Sequence, residues 1–452
     1  LLIALAIGLC SVYVLLGTRL VPFHGDESTQ ILMSRDYAYQ FLQGDLARIA
    51  YDPVAPLSNE TQLRLINGTF NKYLIGLSWH LHSFTVDDLN TDWDWALDYD
   101  QNVRAGHVPS EGLLMAARLP SALFLAASVP LVFVLGWIVG NRWTGLAAAL
   151  YFTLNPGLLI NGRRAMMEGS LTFFSLLCVL VGIWFARKPT WARAFCLGIV
   201  AALTLASKHT GAFTVMAVFG ACGLVALVRL IQQRQSPGSA MTFVRVGLML
   251  MIAVVLMAGG FYALNPAWWG ADVPTLIGTI LDWRQRLLQA QTEMLQGYMD
   301  RLSQLQGFTE QVFQVLPQYY EVWYWRDFPA ITAQISTYES SPWAGLSLGG
   351  SDAGGAVMAL LLCVGIFALL RDPGLELPNR AVFGLWGAAM IALTLLLTPV
   401  EWQRYYLPVF PFVGLLAAYG PFGVVRWWRH LRSAPRKQST DPPGYSAADA
   451  PS

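Results

Sequence analysis

About ten stretches of this chain are apolar over close to twenty residues each, and no other feature limits its possible folds so strongly. A run of roughly 20 apolar residues coiled as a helix matches the hydrocarbon thickness of a bilayer. Inside lipid the backbone must satisfy its own hydrogen bonds, which leaves helices or closed barrels as spanning structures. The runs lie at about 1–21, 113–140, 143–160, 168–186, 191–207, 210–229, 245–264, 354–370, 381–400 and 406–425. They predict an all-α polytopic membrane protein with about ten transmembrane helices. Composition agrees, since 55% of the 452 residues are hydrophobic and only 13% are charged, a balance outside that of soluble domains. A net charge of +1 argues against a nucleic-acid partner, which calls for a basic surface. The five cysteines fall in apolar runs without metal-ligand or disulfide spacing, and read as packing residues. The sequence starts without methionine, so further N-terminal residues are expected upstream. With no small-residue cleavage site after it, the first run reads as a retained span.

Orientation follows from the distribution of lysine and arginine, which gather on the cytoplasmic side of short connections. Arg142, Arg187, Lys188, Arg193, Arg229, Arg234, Arg245, Arg371 and Arg380 share one side with the C-terminal Arg426, Arg429, Arg432, Arg436 and Lys437. The other side receives two long insertions, residues 22–112 and 265–353. Only Asp372, Glu376, Asp441 and Asp449 of the 28 acidic residues then fall on the cytoplasmic side. The polar chemistry is therefore expected outside. In the first insertion, 27–43 and about 70–84 have amphipathic patterns suited to the bilayer surface. The second holds a predicted helix at 282–306 and an aromatic cluster, Tyr319, Tyr320, Trp323, Tyr324 and Trp325, which suits interfacial anchoring better than sugar contact. Residues 1–432 read as one transmembrane domain, and 433–452 as a disordered cytoplasmic tail.

Within this layout the stretch Val21 to Ser28 brings two adjacent carboxylates, Asp26 and Glu27, to the end of the first span. Such a pair is costly in lipid and belongs at the interface or in a wet cavity. Other charges sit at the outer helix ends: Lys72, Arg118, Arg163, Arg164, Glu168, Lys208, His209, Glu401 and Arg404. Any one of these cations could simply snorkel to headgroups. Together they oppose the positive-inside trend on the face that carries the acids, which suits a reaction on a lipid-linked phosphate.

The order of these features resembles the GT-C superfamily of membrane glycosyltransferases, in particular the branch of protein O-mannosyltransferases and lipid A aminoarabinose transferases, glycosyltransferase family 39-like. The resemblance is carried by Asp26-Glu27, by Asn71-Lys72-Tyr73-Leu74-Ile75-Gly76, and by Ala117-Arg118-Leu119-Pro120-Ser121. It continues in Arg164-Ala165-Met166-Met167-Glu168, Ala206-Ser207-Lys208-His209-Thr210-Gly211 and Gln403-Arg404-Tyr405-Tyr406-Leu407-Pro408. There are departures: Gly68-Thr69-Phe70-Asn71 stands where many relatives have a Pro-Pro pair, and Glu168 where aspartate is common.

The resemblance implies inverting transfer of a sugar from a polyprenyl-phosphate donor to an extracytoplasmic acceptor, which could be a protein, a lipid or a cell-envelope glycan. It places the enzyme in a bacterial plasma membrane. Asp26 is then the base that receives the acceptor proton, Glu27 orients it or the acceptor, and Glu168 meets a sugar or a cation. Lys72, Arg118, Arg164, Lys208, His209 and Arg404 are the candidates to stabilise the departing lipid phosphate. Asp26, Glu27 and Glu168 offer oxygens that a divalent ion accepts, yet a monophosphate donor lacks the diphosphate that a metal usually bridges. No cofactor is expected to be required. A membrane ligase for diphosphate-linked glycans and a polytopic transporter or flippase remain the alternatives. The transporter would need ionisable residues at mid-membrane, whereas the charges here gather at outer helix ends.

Overall fold

The computed structural model describes residues 1–55, 58–295 and 297–433, without the side chains of residues 294, 295, 323, 326 and 433. Its helices are α1 (Leu2–Leu16), α2 (Gly25–Met33), α3 (Asn59–Ile66), α4 (Thr69–Leu81), α5 (Tyr99–Arg104), α6 (Glu111–Val139), α7 (Arg142–Leu154), α8 (Pro156–Arg163), α9 (Glu168–Arg187) and α10 (Trp191–Ser207). They continue as α11 (Gly211–Gln232), α12 (Ser239–Leu264), α13 (Val273–Leu295), α14 (Arg301–Thr309), α15 (Pro329–Glu339), α16 (Asp352–Arg371), α17 (Leu377–Leu396), α18 (Gln403–Tyr406) and α19 (Phe410–Ser433). The expected tail lies, beyond Ser433, outside the described residues.

The protein is an integral, multi-pass membrane protein, but the expectation of about ten spans is corrected. Among the described residues seven helices are long and apolar enough to cross a membrane, or eight if the bent pair α7 and α8 counts as one span. The seven are α6, α9, α11, α12, α16, α17 and the stretch Gln403–Arg432. Two of the predicted spans fall short on length: α1 has 15 residues and α10 has 17, against the roughly 20 that a span needs. The predicted span 143–160 breaks at Asn155-Pro156, where the two halves bend by 60°. Pro156 cannot donate to the preceding turn, and the Asn155 side chain instead caps α8 by accepting from Leu158 N at 3.0 Å.

The core is apolar throughout the bundle, built on residues such as Val129, Leu135, Phe152, Val179, Phe383 and Val413. Its outer wall meets lipid, most openly along α12, where only 17% of the spanning window is buried. Trp137, Trp143, Trp184 and Trp191 are exposed at helix ends that the chain path places on one side of the bundle, as expected of an interfacial belt. The opposite end gathers the starts of α2, α9 and α11, the ends of α8 and α10, and α18. Glycine makes this packing possible at two points. A Cβ on Gly169 would collide with the Ser121 carbonyl of α6, and one on Gly68 with the Ser207 carbonyl at the end of α10.

The insertions differ in detail from the sequence pattern. The predicted surface segment 27–43 is interrupted after Met33 and lies largely under protein, with Ile31 and Met33 buried and only Phe41 and Leu42 well exposed at its end. The predicted helix 282–306 is two helices, α13 and α14, because the chain turns at residues 297–300. Leu276 and Ile280 on α13 pack on Ile49, Tyr51 and Leu65 of the first insertion, so the two insertions form one cap over this end of the bundle.

Candidate active site

Successive residues on a helix point about 100° apart, so adjacent carboxylates at the start of α2 must take different surroundings. His24 is the N-cap. Its Nδ1 accepts the Asp26 backbone N–H at 3.1 Å, and its own N–H donates to Glu27 Oε2 at 3.1 Å. Acids in a first helical turn also benefit from the helix dipole.

Glu27 turns inward and is fully buried. Arg118 of α6 holds it with two parallel bonds, Nε to Oε1 at 2.8 Å and Nη2 to Oε2 at 2.7 Å, while the Ala165 N–H donates to Oε1 at 2.8 Å. Arg118 spends its remaining Nη1 on the carbonyls of Thr18 and Val21 at 3.2 and 2.9 Å. Burial alone would raise the Glu27 pKa, but Arg118 outweighs it and holds the carboxyl below its ordinary range. A bidentate pair with every oxygen satisfied is geometrically closed.

Asp26 turns the other way and keeps 29% of its side chain exposed. Its Oδ2 accepts from Arg404 Nη1. Arg404 Nε also lies 3.3 Å from Glu321 Oε1, and Glu321 Oε2 is 2.6 Å from His24 Nε2. Because His24 Nδ1 is an acceptor here, the ring proton sits on Nε2 and is donated to Glu321. His24, Glu321, Arg404 and Asp26 thus close a loop. Burial pushes the Asp26 pKa up, but Arg404 and His24 together more than cancel this, so the carboxyl ionises below its ordinary range. Glu321 is shifted the same way and for the same reason.

Lys72 is also sealed. Its Nζ donates to Asp36 at 2.6 Å, and Arg64 holds the same carboxylate at 2.8 and 3.0 Å. Arg164 donates to the carbonyls of Pro22 and Tyr319 at 3.2 and 2.7 Å and lies 5.6 Å from the centre of the Tyr320 ring. Its neighbour Arg163 is entirely spent on Val14, Tyr13 and Trp343 carbonyls and the Tyr338 hydroxyl. Among the predicted residues, then, the structure joins Asp26 to Arg404, Glu27 to Arg118 and Glu168 to Lys208.

A second group lies between α9, α10 and α13. Lys208 Nζ donates to Glu168 Oε1 at 2.8 Å, and Glu168 Oε2 is buried without a partner. Arg284 of α13 donates to His209 Nδ1 at 3.3 Å and to the Ile66 carbonyl at 3.0 Å. His209 therefore carries its proton on Nε2, which is buried and unpartnered. Tyr405 links the groups, since it feels the charges of Arg404, Glu321, Asp26 and Glu168 and in turn acts on Arg284. Of these groups Arg404 is the one seen in contact with Tyr405, 5.7 Å from the centre of its ring.

His24, Asp36, Arg64, Arg284 and Glu321 were not among the residues the sequence singled out. Glu321 carried a faint signal as the one acid within an aromatic run, and His24 lies two positions before Asp26. Asp36 and Arg64 have no pattern that distinguishes them from surface charge. Among the described residues no group of three or more His, Cys, Asp or Glu is arranged to hold a metal ion. Glu27, one of the three acids considered for that task, is already committed to Arg118.

Residues 60–264 match the family model for dolichyl-phosphate-mannose-protein mannosyltransferase, PMT. That segment is similar to the PMT family. The PMT match carries Lys72, Arg118, Arg164, Glu168, Lys208 and His209 and leaves Asp26, Glu321 and Arg404 outside; it covers less than half of the chain. No curated protein is similar enough in sequence to count as a match. Among solved structures, the chain is similar to the Archaeoglobus fulgidus oligosaccharyltransferase in its apo form, at 12% identity and a TM-score of 0.48, over 95% of this chain and 52% of that one. It is also similar to archaeal AglB from Archaeoglobus fulgidus in complex with an inhibitory peptide and a dolichol-phosphate, at 13% identity and a TM-score of 0.45, over 96% and 52% of the two chains. A complex of the same organism's oligosaccharyltransferase with Zn and sulfate gives 14% identity and a TM-score of 0.47, over 94% and 50%. The chain spans about half the length of the solved chains it matches.

Proposed function

We propose that the chain is an inverting glycosyltransferase that moves a sugar from a polyprenyl-phosphate donor to a hydroxyl acceptor on a protein, a lipid or a cell-envelope glycan. Residues 1–432 act as one glycosyltransferase domain, with 22–112 and 265–353 capping its extracytoplasmic end in a bacterial plasma membrane. The observation that carries the reading is the contrast within Asp26-Glu27: one carboxylate is locked away, and the other is partly exposed beside Arg404 with Oδ1 free of any bond among the described residues. The PMT match over 60–264 supports the same chemistry.

In this reading Asp26 Oδ1 receives the acceptor hydroxyl proton as the oxygen attacks the anomeric carbon from the face opposite the phosphate. The departing lipid phosphate gains negative charge, and Arg404, Lys208, Arg284 and the His209 Nε2–H stabilise it. Glu168 holds Lys208 in place and offers its free oxygen to a sugar hydroxyl. Arg118 and Lys72 act at one remove, by fixing α2 and α4 through Glu27 and Asp36, while Arg164 braces the chain beside Tyr320. No cofactor takes part in these steps.

The test is sugar transfer by the purified full chain from a panel of radiolabelled polyprenyl-phosphate sugars, with native membranes as acceptor. Wild type is expected to transfer label, and a folded Asp26→Asn protein is expected not to. Equal activity of the two would remove Asp26 as base, and no transfer by wild type from a broad panel would remove the transferase reading.

A further inference from the structure

The loop formed by His24, Glu321, Arg404 and Asp26 contains more charge than proton removal by Asp26 requires. Exposure rises steadily around it, from 1% at His24 to 10% at Glu321, 13% at Arg404 and 29% at Asp26. The bonding capacity changes in the same order. Glu321 has both oxygens engaged, Oε2 in a hydrogen bond with His24 and Oε1 in an ion pair 3.3 Å from Arg404 Nε without hydrogen-bond geometry, whereas Asp26 engages only Oδ2.

The buried half is rigidly held. The His24 ring stacks on Tyr320 with an interplanar angle of 9° and a centroid distance of 5.8 Å, and on Trp325 at 6.0 Å. Trp95 meets it edge-on at 6.1 Å. Tyr320 is itself tied to the Phe23 carbonyl through its hydroxyl, at 2.5 Å. The Asp26 backbone is pinned to His24 Nδ1 while its side chain remains at the open side. One carboxylate on Arg404 is therefore fixed, and the other is exchangeable.

Resting on the transferase reading above, we propose that Glu321 and His24 are positioning residues that keep Arg404 in the site when Asp26 releases it to meet the acceptor hydroxyl. In the transfer step the acceptor oxygen bonds to the anomeric carbon. The bond from that carbon to the donor phosphate oxygen breaks with its electron pair going to the phosphate, and the hydroxyl proton moves to Asp26. Arg404 then turns its charge from Asp26, now neutral, to the phosphate, now more negative. Without Glu321 the guanidinium would have Asp26 as its sole carboxylate partner, and the pair would close on itself.

The charged and titratable groups that act on Asp26 are Arg404, His24 and Glu321, with Tyr405 beside them. Glu321 pushes the Asp26 pKa up and Arg404 pulls it down. Replacing Glu321 by Gln removes the upward push, so Asp26 stays ionised to lower pH and is a weaker base. For the full chain in nanodiscs, Glu321→Gln is expected to lower kcat about tenfold or more, to change the donor KM by less than about threefold, and to move the acid limb of the pH profile to lower pH. Glu321→Asp is expected to restore part of kcat. A merely structural role would reduce the amount of active enzyme and leave the acid limb where it was, and that result, or a wild-type kcat in Glu321→Gln, would overturn the proposal. If wild type transfers no sugar at all, the transferase reading fails separately. The positioning role is then read from the infrared carboxylate signal lost in Asp26→Asn: its titration midpoint must fall in Glu321→Gln, and an unmoved midpoint overturns it.

Discussion

Two clusters are built on carboxylates of the first insertion, Asp36 and Asp26, and they differ in closure. Around Asp36 the side chains of Asp36, Lys72 and Arg64 are 0%, 1% and 7% exposed, and every carboxylate oxygen is bonded. Around Asp26 the acid is 29% exposed and one of its oxygens is free among the described residues; in both clusters the arginine is shared with a second acid, Arg404 with Glu321 and Arg64 with Glu60. The same residue types thus serve two purposes. A closed cluster has no site for a ligand and ties α2 and its extension to α3 and α4. An open one can exchange a partner, which is what proton transfer and phosphate release need. The largest expected effect that tests this contrast is Asp26→Asn. It should lower transfer by about 10²–10⁴-fold, the range for loss of a general base, while thermal unfolding in detergent stays close to wild type. A large fall in melting temperature would place Asp26 with the closed cluster and break the comparison.

The converse holds for Asp36. Asp36→Asn leaves Lys72 buried without its counter-charge and Arg64 with Glu60 alone, and breaking a buried pair from one side costs about 3–5 kcal/mol. The expected result is a strongly lowered melting temperature and poor recovery of folded protein. Replacing Asp36 together with Lys72, as Asp36→Leu with Lys72→Met, leaves Arg64 its Glu60 partner and should recover much of that loss, because matched apolar groups of similar volume often do as well as a buried ion pair. If the double variant is stable and transfers sugar with an unchanged donor KM, Lys72 is a structural residue. A donor KM raised by an order of magnitude in a stable double variant would return Lys72 to the phosphate site and blur the distinction drawn here.

Much of this was legible in the sequence because it depends on pattern. The apolar runs located nearly all the long helices, and that Asp26, Glu168, Lys208 and Arg404 share one end of the bundle followed from counting helices. The count itself erred where length and breaks decide, at the 15-residue α1, the 17-residue α10 and the bend at Asn155-Pro156. Pairing was not legible. That Glu27 would face Arg118 across a sequence separation of 91, or that Glu321 would reach Arg404 and His24, depends on how the two insertions fold over the bundle. Asp36 and Arg64 escaped notice for the same reason, since an isolated charge in an amphipathic stretch has the same local pattern whether it ends in solvent or in a buried cluster. Residue type located the chemistry, and only tertiary contact separates the acid that is free to act from the one that is locked.

His209 falls between the two clusters and gives the finest test of the contrast. It lies beside Arg284, has one nitrogen satisfied and one buried without a partner, and belongs to the open site by position but to the closed class by surroundings. Burial, with Arg284 adding to it, lowers its pKa from 6.5 to about 3. The sign of the consequence follows from proton uptake. Between pH 6.5 and about 3 the unfolded chain binds a proton at this residue and the folded one does not, so stability is complete above 6.5 and is lost as pH falls towards 3, by at most about 1.4 kcal/mol per pH unit. Asp26, Glu27, Asp36 and Glu321 all ionise below the ordinary carboxylate range, so the interval from pH 7 to pH 5 isolates the histidine from them. Melting temperature measured across that interval should fall in wild type and fall less in His209→Gln, with the difference worth about 1–2 kcal/mol at pH 5. If the donor, or inorganic phosphate as its stand-in, removes the wild-type slope, then an anion near Nε2 has made the charged imidazole acceptable, and His209 belongs with Asp26 among the groups open to exchange. If phosphate leaves the slope untouched, His209 belongs with Asp36 as part of the closed framework, and the phosphate site narrows to Lys208, Arg284 and Arg404.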